Sequence, residues 1–372
     1  MFRPPRQAGG SLIYNSPPMP LRVRSFAKIN LGLRIGPVRA DGFHQLLTLY
    51  QTIDWHDVVH LDILDRGGIE ILCPDPRVPT DRTNTCWRVA EQVLAAAGST
   101  KGVRIEIEKL LPVQGGLGAA SSNAVATMLG MEKLLGVDIG ADRRQQIAAS
   151  VGSDLPLFLL GGTVLGEGRG EVVRPLPDLP PFAAVVVTPE VSVSTPKAFA
   201  DWDQLVASGA DLPIFPASGA ALFEGWTLPN PQLTETDAPV RMMVFRHAVT
   251  QWLEQQGIAS GVPTHDGGDR VEGSASWAQS LLGLVRTGIE NDFERVVFPQ
   301  YSELSELKRM LYEEGAQFAS LSGSGSALYG LFDWASLAET AAQAVARRGV
   351  KARVAGFIGR EEFERDWLIG ES

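Results

Sequence analysis

The chain has 372 residues, 44% hydrophobic and 20% charged, with a net charge of −10 at pH 7. It is long enough to bury two cores. Its acidity, with no dense Lys/Arg block, excludes general nucleic-acid or anionic-membrane binding and leaves room only for a local basic pocket. Cys73 and Cys86 are the only cysteines and form no CxxC pair, which excludes a disulfide framework and a thiolate zinc site and fits a reducing, cytoplasmic setting.

Residues 1–18 are rich in Pro, Gly and Arg and read as a mobile tail. Met19 stands one residue, Pro20, before the strand-like LRVRSF. We therefore hypothesise that translation starts there; an intact mass that retains residues 1–18 would exclude it. An apolar segment follows, RSFAKINLGLRI (24–35), with Lys28 set among apolar neighbours. A lysine in such company is ordinarily a solvated edge residue. A turn is expected at Arg39–Gly42 and a strand at Val58–Leu64, where apolar and polar residues alternate. His56 and His60 lie four apart in that strand pattern, so they do not converge, and no third ligand stands beside them.

Thr83 or Asn84 caps a helix over 83–97 that Gly98 ends. VRIEIEK (103–109) alternates as a strand. It leads into LPVQGGLGAASS (111–122), where Gly115, Gly116 and Gly118 permit conformations closed to other residues and leave no side chain before an approaching ligand. Ser121 and Ser122 stand where the next helix, to about Leu135, begins. Hydroxyls, unsatisfied N–H groups and the helix dipole could all face one phosphate there. Alone, the loop is equally an ordinary serine-capped turn.

A helix over about Asp142–Ser150 leads to Asp154, which precedes Pro156 and an apolar run. It is either a carboxylate at a low-dielectric wall or a turn aspartate. PFAAVVVTPE is a buried strand, and VSVSTPKAF reads as a turn. From Asp201 to Trp277 the pattern loosens into an insertion, interrupted by a helix at about Arg241–Gln256 and expected to be partly disordered near His265–Ser274. Helices are expected near Ala278–Thr287, Ser302–Glu314 and Leu337–Arg347, with strands at Gln317–Leu321, Ala327–Phe332 and Lys351–Phe357. Ser320–Ser326, a second Gly/Ser loop, is either a hairpin or the other wall of one anion site.

No GxxxxGK[ST] is present, and Gly116-Leu-Gly118-Ala-Ala-Ser121 falls one residue short of GxGxxG. Asp138, 20 residues after Gly118, lies in a glycine-rich turn instead of ending a second parallel strand, so the dinucleotide fingerprint fails. A phosphoryl-transfer enzyme needs a phosphate cradle, a cation near the transferring group and a carboxylate for the acceptor's proton. Gly115–Ser122, Lys28 and Asp154 can fill those roles.

AKINLGLRIGPVRADGFH, LPVQGGLGAASSNA, GSDLPLFLLGG and SLSGSGSALYG together resemble the GHMP kinase superfamily, and within it the 4-diphosphocytidyl-2-C-methyl-D-erythritol kinases. The DGFH segment is the most specific part of the match. The resemblance covers most of 22–200 and returns at about 279–357, leaving the tail and much of 201–277 unexplained.

The resemblance implies a two-domain α+β fold, an N-terminal ribosomal-protein-S5-domain-2-like domain (19–180) and a C-terminal ferredoxin-like domain (181–372). It implies Lys28 and Asp154 as the catalytic pair. Pro112, Val113, Gln114, Gly115, Gly116, Leu117, Gly118, Ala119, Ala120, Ser121 and Ser122 would hold ATP. Asn30 and His44 would contact a cytidyl acceptor, Phe43 and Phe199 would sandwich its ring, and Thr195 and Pro196 would line the pocket. Mg²⁺ is expected without a nameable ligand, in a cytoplasmic monomer or weak homodimer with no nucleic-acid or membrane partner. Ala119 and Ala120 replace frequent glycines, and Phe43 replaces a frequent tyrosine.

Overall fold

A computed structural model of the protein describes residues 20–179, 181–210, 241–246, 249 and 290–370. The tail, the region near His265–Ser274, the helix expected near Ala278–Thr287 and the later part of that expected from Arg241 lie outside the described residues.

Two long antiparallel strands, β1 (Leu21–Val38) and β2 (His44–Leu64), form the spine of the first half. They turn at residues 39–43, where Gly42 has φ +82° and the Arg39 amide donates to the Phe43 carbonyl at 2.7 Å. β3 (Gly68–Leu72), β4 (Gly102–Glu108), β5 (Thr163–Glu167) and β6 (Val172–Pro175) extend the sheet outward from β2. The sequence pattern showed only the last part of β2. Residues Leu47–Ile53 are buried throughout, and a strand covered on both faces loses the alternation that marks a half-exposed one.

Helices α1 (Thr85–Ala96), α2 (Ala119–Leu135) and α3 (Ala141–Val151) cover one face of this sheet, burying Val89, Val93, Met128, Met131 and Ile147 against Val59, Leu61 and Ile105. Asn84 caps α1 by accepting from the Cys86 amide at 2.8 Å.

The second half holds β7 (Ala183–Thr188), α4 (Thr195–Ala207), the single turn α5 (Glu294–Val297), α6 (Ser302–Glu313), β8 (Phe318–Leu321), β9 (Leu328–Phe332), α7 (Ala335–Arg347) and β10 (Lys351–Gly356). Its sheet order, β10-β7-β9-β8, with one helical crossover after β7 and another after β9, is the ferredoxin-like arrangement. Along β7 the side chains alternate strictly: Ala184 and Val186 pack into the core shared with β1 and β2, while Val185 and Val187 pack beneath Trp202, Leu304 and Ala341.

Two sequence expectations are corrected here. VSVSTPKAF is not a turn throughout: Ser194 accepts from the Lys197 amide and Pro196 occupies the first turn, so a helix begins at Thr195. That helix runs to Ala207, so the looser segment does not begin at Asp201. The chain also recrosses to the first sheet after β10, through α8 (Arg360–Asp366) and β11 (Leu368–Ile369), which pairs with β1.

The halves are locked by buried Asp292, which accepts from Arg34 at 2.9 Å, from the Ile35 amide at 2.8 Å and from Arg241. No helix among the described residues is long and apolar enough to cross a membrane.

Candidate active site

The alternation of β1 explains Lys28. Ala27, Ile29 and Leu31 face the core between the sheets, so Lys28 and Asn30 project from the opposite face. Lys28 is only 3% exposed, and a buried ammonium requires partners. Its Nζ donates to Asn30 Oδ1 at 2.6 Å and lies 3.3 Å from Asp154 Oδ2. Asn30 is itself fixed by donating to Thr48 Oγ1 at 2.8 Å, and Thr48 donates to the Gly32 carbonyl at 2.7 Å.

Asp154 precedes a single 3₁₀ turn, Pro156–Leu159, and its carboxylate accepts from the Tyr50 hydroxyl at 3.1 Å. Burial of Tyr50, with the Asp154 charge beside it, raises the phenol pKa well above its ordinary value, so the phenol stays a donor.

The glycine-rich loop closes over this pair. The Lys28 amide donates to the Leu117 carbonyl at 3.0 Å. Gly118, at φ +72°, leaves no room for a side chain: a Cβ there would lie 2.8 Å from the Phe158 ring and 3.1 Å from Lys28 Cγ. Asp57, fully buried, anchors the loop's approach. It accepts from Lys109 at 2.6 Å, from the Leu110 and Leu111 amides at 2.7 Å each, and from Asn123 in α2 at 3.0 Å. The second Gly/Ser loop meets the first directly: Ser322 Oγ donates to the Gly116 carbonyl at 2.9 Å, and the Ala327 amide donates to that of Gly115 at 3.1 Å.

Of the cavities that border the loop, two include both Gly116 and Gly118. One, of about 340 Å³, lies over the loop, bordered by Asn84, Thr85, Lys109 and Ser121. The other, of about 650 Å³, contains Lys28, Asp154, Gly116, Gly118 and Gly323 together with Phe43, His44, Thr195, Pro196 and Phe199. There the His44 ring stacks on Phe199, with centroids 4.8 Å apart and planes 12° apart. Phe43 is half exposed beneath the Arg169 guanidinium, 4.7 Å from its centroid.

The GHMP kinases N terminal domain family matches residues 84–162, and the GHMP kinases C terminal family matches residues 277–351. The chain is 33% identical to 4-diphosphocytidyl-2-C-methyl-D-erythritol kinase of Solibacter usitatus over 83% of this chain and 80% of the relative. It is 32% identical to the Chlorobium limicola kinase of the same name over 90% and 96%. The chain belongs to the 4-diphosphocytidyl-2-C-methyl-D-erythritol kinase family. A crystal structure of 4-(cytidine 5'-diphospho)-2C-methyl-D-erythritol kinase superposes with a TM-score of 0.62 at 27% identity, covering 91% of this chain and 99% of that one. Homoserine kinase from Cytophaga hutchinsonii, at 20% identity and a TM-score of 0.61, shares the fold.

The fold thus brings Lys28, Asp154, Asn30 and both loops to one cavity. Helix α2 begins two residues earlier than the sequence suggested, with Gly118 as its N-cap and no capping side chain. Ser121 consequently sits on the first turn beside the smaller cavity, whereas Ser122 is buried and borders a narrow gap with Val23 and Phe158. Ser122's hydroxyl therefore does not share the loop's cavity.

The expected Phe43–Phe199 sandwich is likewise altered: His44 occupies a face of Phe199, and Arg169 covers a face of Phe43. Sequence reasoning missed Tyr50, Asp57, Arg169, Asp203 and Thr48. Tyr50 and Thr48 lay in the unread part of β2, and Asp203 lay in what read as insertion. Cys73 lines neither cavity, whereas Cys86 borders the smaller one; burial pushes its thiol up to about 12.

Proposed function

We propose that this protein transfers the γ-phosphoryl group of ATP to the 2-hydroxyl of 4-diphosphocytidyl-2-C-methyl-D-erythritol. The catalytic pair and both Gly/Ser loops share one cavity with an aromatic cluster at His44, Phe199 and Phe43, and that convergence carries the proposal. The loop's N–H groups and the N-terminus of α2 would hold the donor's phosphates. Asp154 would accept the acceptor's proton, and Lys28 would offset charge on the transferring oxygens. Asn30 and Tyr50 hold the two groups in register.

Among the described residues no three His, Cys, Asp or Glu side chains cluster to hold a metal. Such a donor set suits Mg²⁺ bound chiefly by nucleotide phosphates and water, with Ser121 as the hydroxyl to assist; the ion would neutralise phosphate charge. Phosphorus NMR of the product tests the assignment. A phosphomonoester at the 2-position of the cytidyl acceptor is expected, and an ester elsewhere on it would refute the regiochemistry.

A further inference from the structure

His44 does more than line the acceptor cavity. Its Nε2 lies 2.8 Å from Asp203 Oδ1 while its ring stacks on Phe199. Phe199 and Asp203 stand at i and i+4 on α4, so one helix face grips the imidazole by its plane and by one edge. A carboxylate can only accept, so Nε2 must carry the proton in this contact, and the neutral ring then has a bare Nδ1. Among the described residues Nδ1 has no hydrogen-bond partner, and His44's side chain is only 9% exposed.

We propose that Asp203 is a positioning residue that sets acceptor specificity by fixing His44 as the Nε2–H tautomer. This rests on the cytidyl acceptor proposed above. Opposite position 4 of the pyrimidine, a bare Nδ1 accepts from the exocyclic amine of cytosine and is repelled by the oxo group of uracil. The hydrogen bond to the base therefore runs from ligand to His44. Rejection arises because the wrong base leaves two buried acceptors facing each other.

Asp203→Asn tests this, because an amide can donate to Nε2 and leave the proton on Nδ1. Wild-type and variant kcat/KM would be measured with the cytidyl acceptor and its uridyl counterpart, beside ¹⁵N NMR of His44, which reads the protonation of each ring nitrogen. Asp203 is about half exposed, so the variant should fold, and its ATP KM should stay at the wild-type value. The cytidyl-over-uridyl ratio should fall about ten- to hundredfold, mainly through acceptor KM, with the Nδ1 and Nε2 signals exchanging protonation. An unchanged ratio in both Asp203→Asn and Asp203→Leu, the latter offering Nε2–H no acceptor, or a wild-type His44 protonated on Nδ1, would overturn the proposal. Wild-type enzyme that ignores the cytidyl acceptor altogether would instead refute the function on which it rests, while the NMR still decides the tautomer.

Discussion

Lys28 Nζ and Asp154 Oδ2 lie 3.3 Å apart across the mouth of the glycine-rich loop, the lysine buried and the carboxylate one-third exposed. The asymmetry suits the roles. A buried ammonium held by Asn30 is a fixed charge, and the more accessible carboxylate can meet a hydroxyl brought into the cavity. Asp154→Asn keeps the shape and removes the base. We expect kcat to fall by about 10²–10⁴ while calorimetry shows ATP binding retained; near-normal turnover would remove Asp154 from the proton transfer.

Tyr50→Phe separates ring packing from the hydrogen bond to Asp154. With the phenol pKa raised well above its ordinary value, Tyr50 does not ionise in the working range, so the alkaline limb of the rate profile should be the same in both proteins. Freed from its 3.1 Å partner, Asp154 should sample more orientations, and kcat should drop by about three- to tenfold, an effect of roughly 1 kcal/mol. The stability difference carries a sign as well. Because folding raises the phenol pKa, the wild type holds its full stability below about pH 10 and loses it as pH rises further. Denaturant melts at increasing pH should therefore show the wild type losing ground to the variant; a parallel pH dependence would contradict this.

Gly116→Ala probes the contact between the two loops. At φ +77° an added Cβ would lie 2.1 Å from the Ser322 carbonyl oxygen, so the loops must part. A stability loss of about 1–3 kcal/mol is expected. Equilibrium nucleotide binding should weaken at least tenfold. Unaltered nucleotide affinity would show that the second loop does not shape the phosphate site.

Asp57→Ala addresses the loop's anchor. Removing it strands Lys109, which is about nine-tenths buried, and leaves the Leu110 and Leu111 amides without their acceptor. Breaking a buried pair in this way costs about 3–5 kcal/mol, readable as a fall in the urea midpoint. A loss under about 1 kcal/mol would mean that solvent readily replaces the carboxylate.

Much of this site was legible in the sequence because its chemistry is written in contiguous loops. Gly115, Gly116 and Gly118 announce a close backbone approach, and Lys28 stands out as a cation among apolar neighbours. The helices and alternating strands that carry them were legible for the same local reason. What escaped was whatever depends on partners distant in sequence. Tyr50 sits in a strand buried on both faces, which has no period to read. Asp57 resembles any strand aspartate until the chain from Lys109 to Leu111 and Asn123 of α2 close around it. Asp203 matters only because α4 continues past Asp201 and sets it four residues beyond Phe199. Ser122 looked equivalent to Ser121, but helical geometry turns adjacent residues about 100° apart, and only one borders the loop's cavity.

ATP turnover measured against a panel of acceptors tests the central claim most directly. We expect saturable ADP release with 4-diphosphocytidyl-2-C-methyl-D-erythritol and none above background with homoserine or mevalonate. Turnover with homoserine or mevalonate, and none with the cytidyl compound, would contradict the assignment while leaving the kinase fold intact.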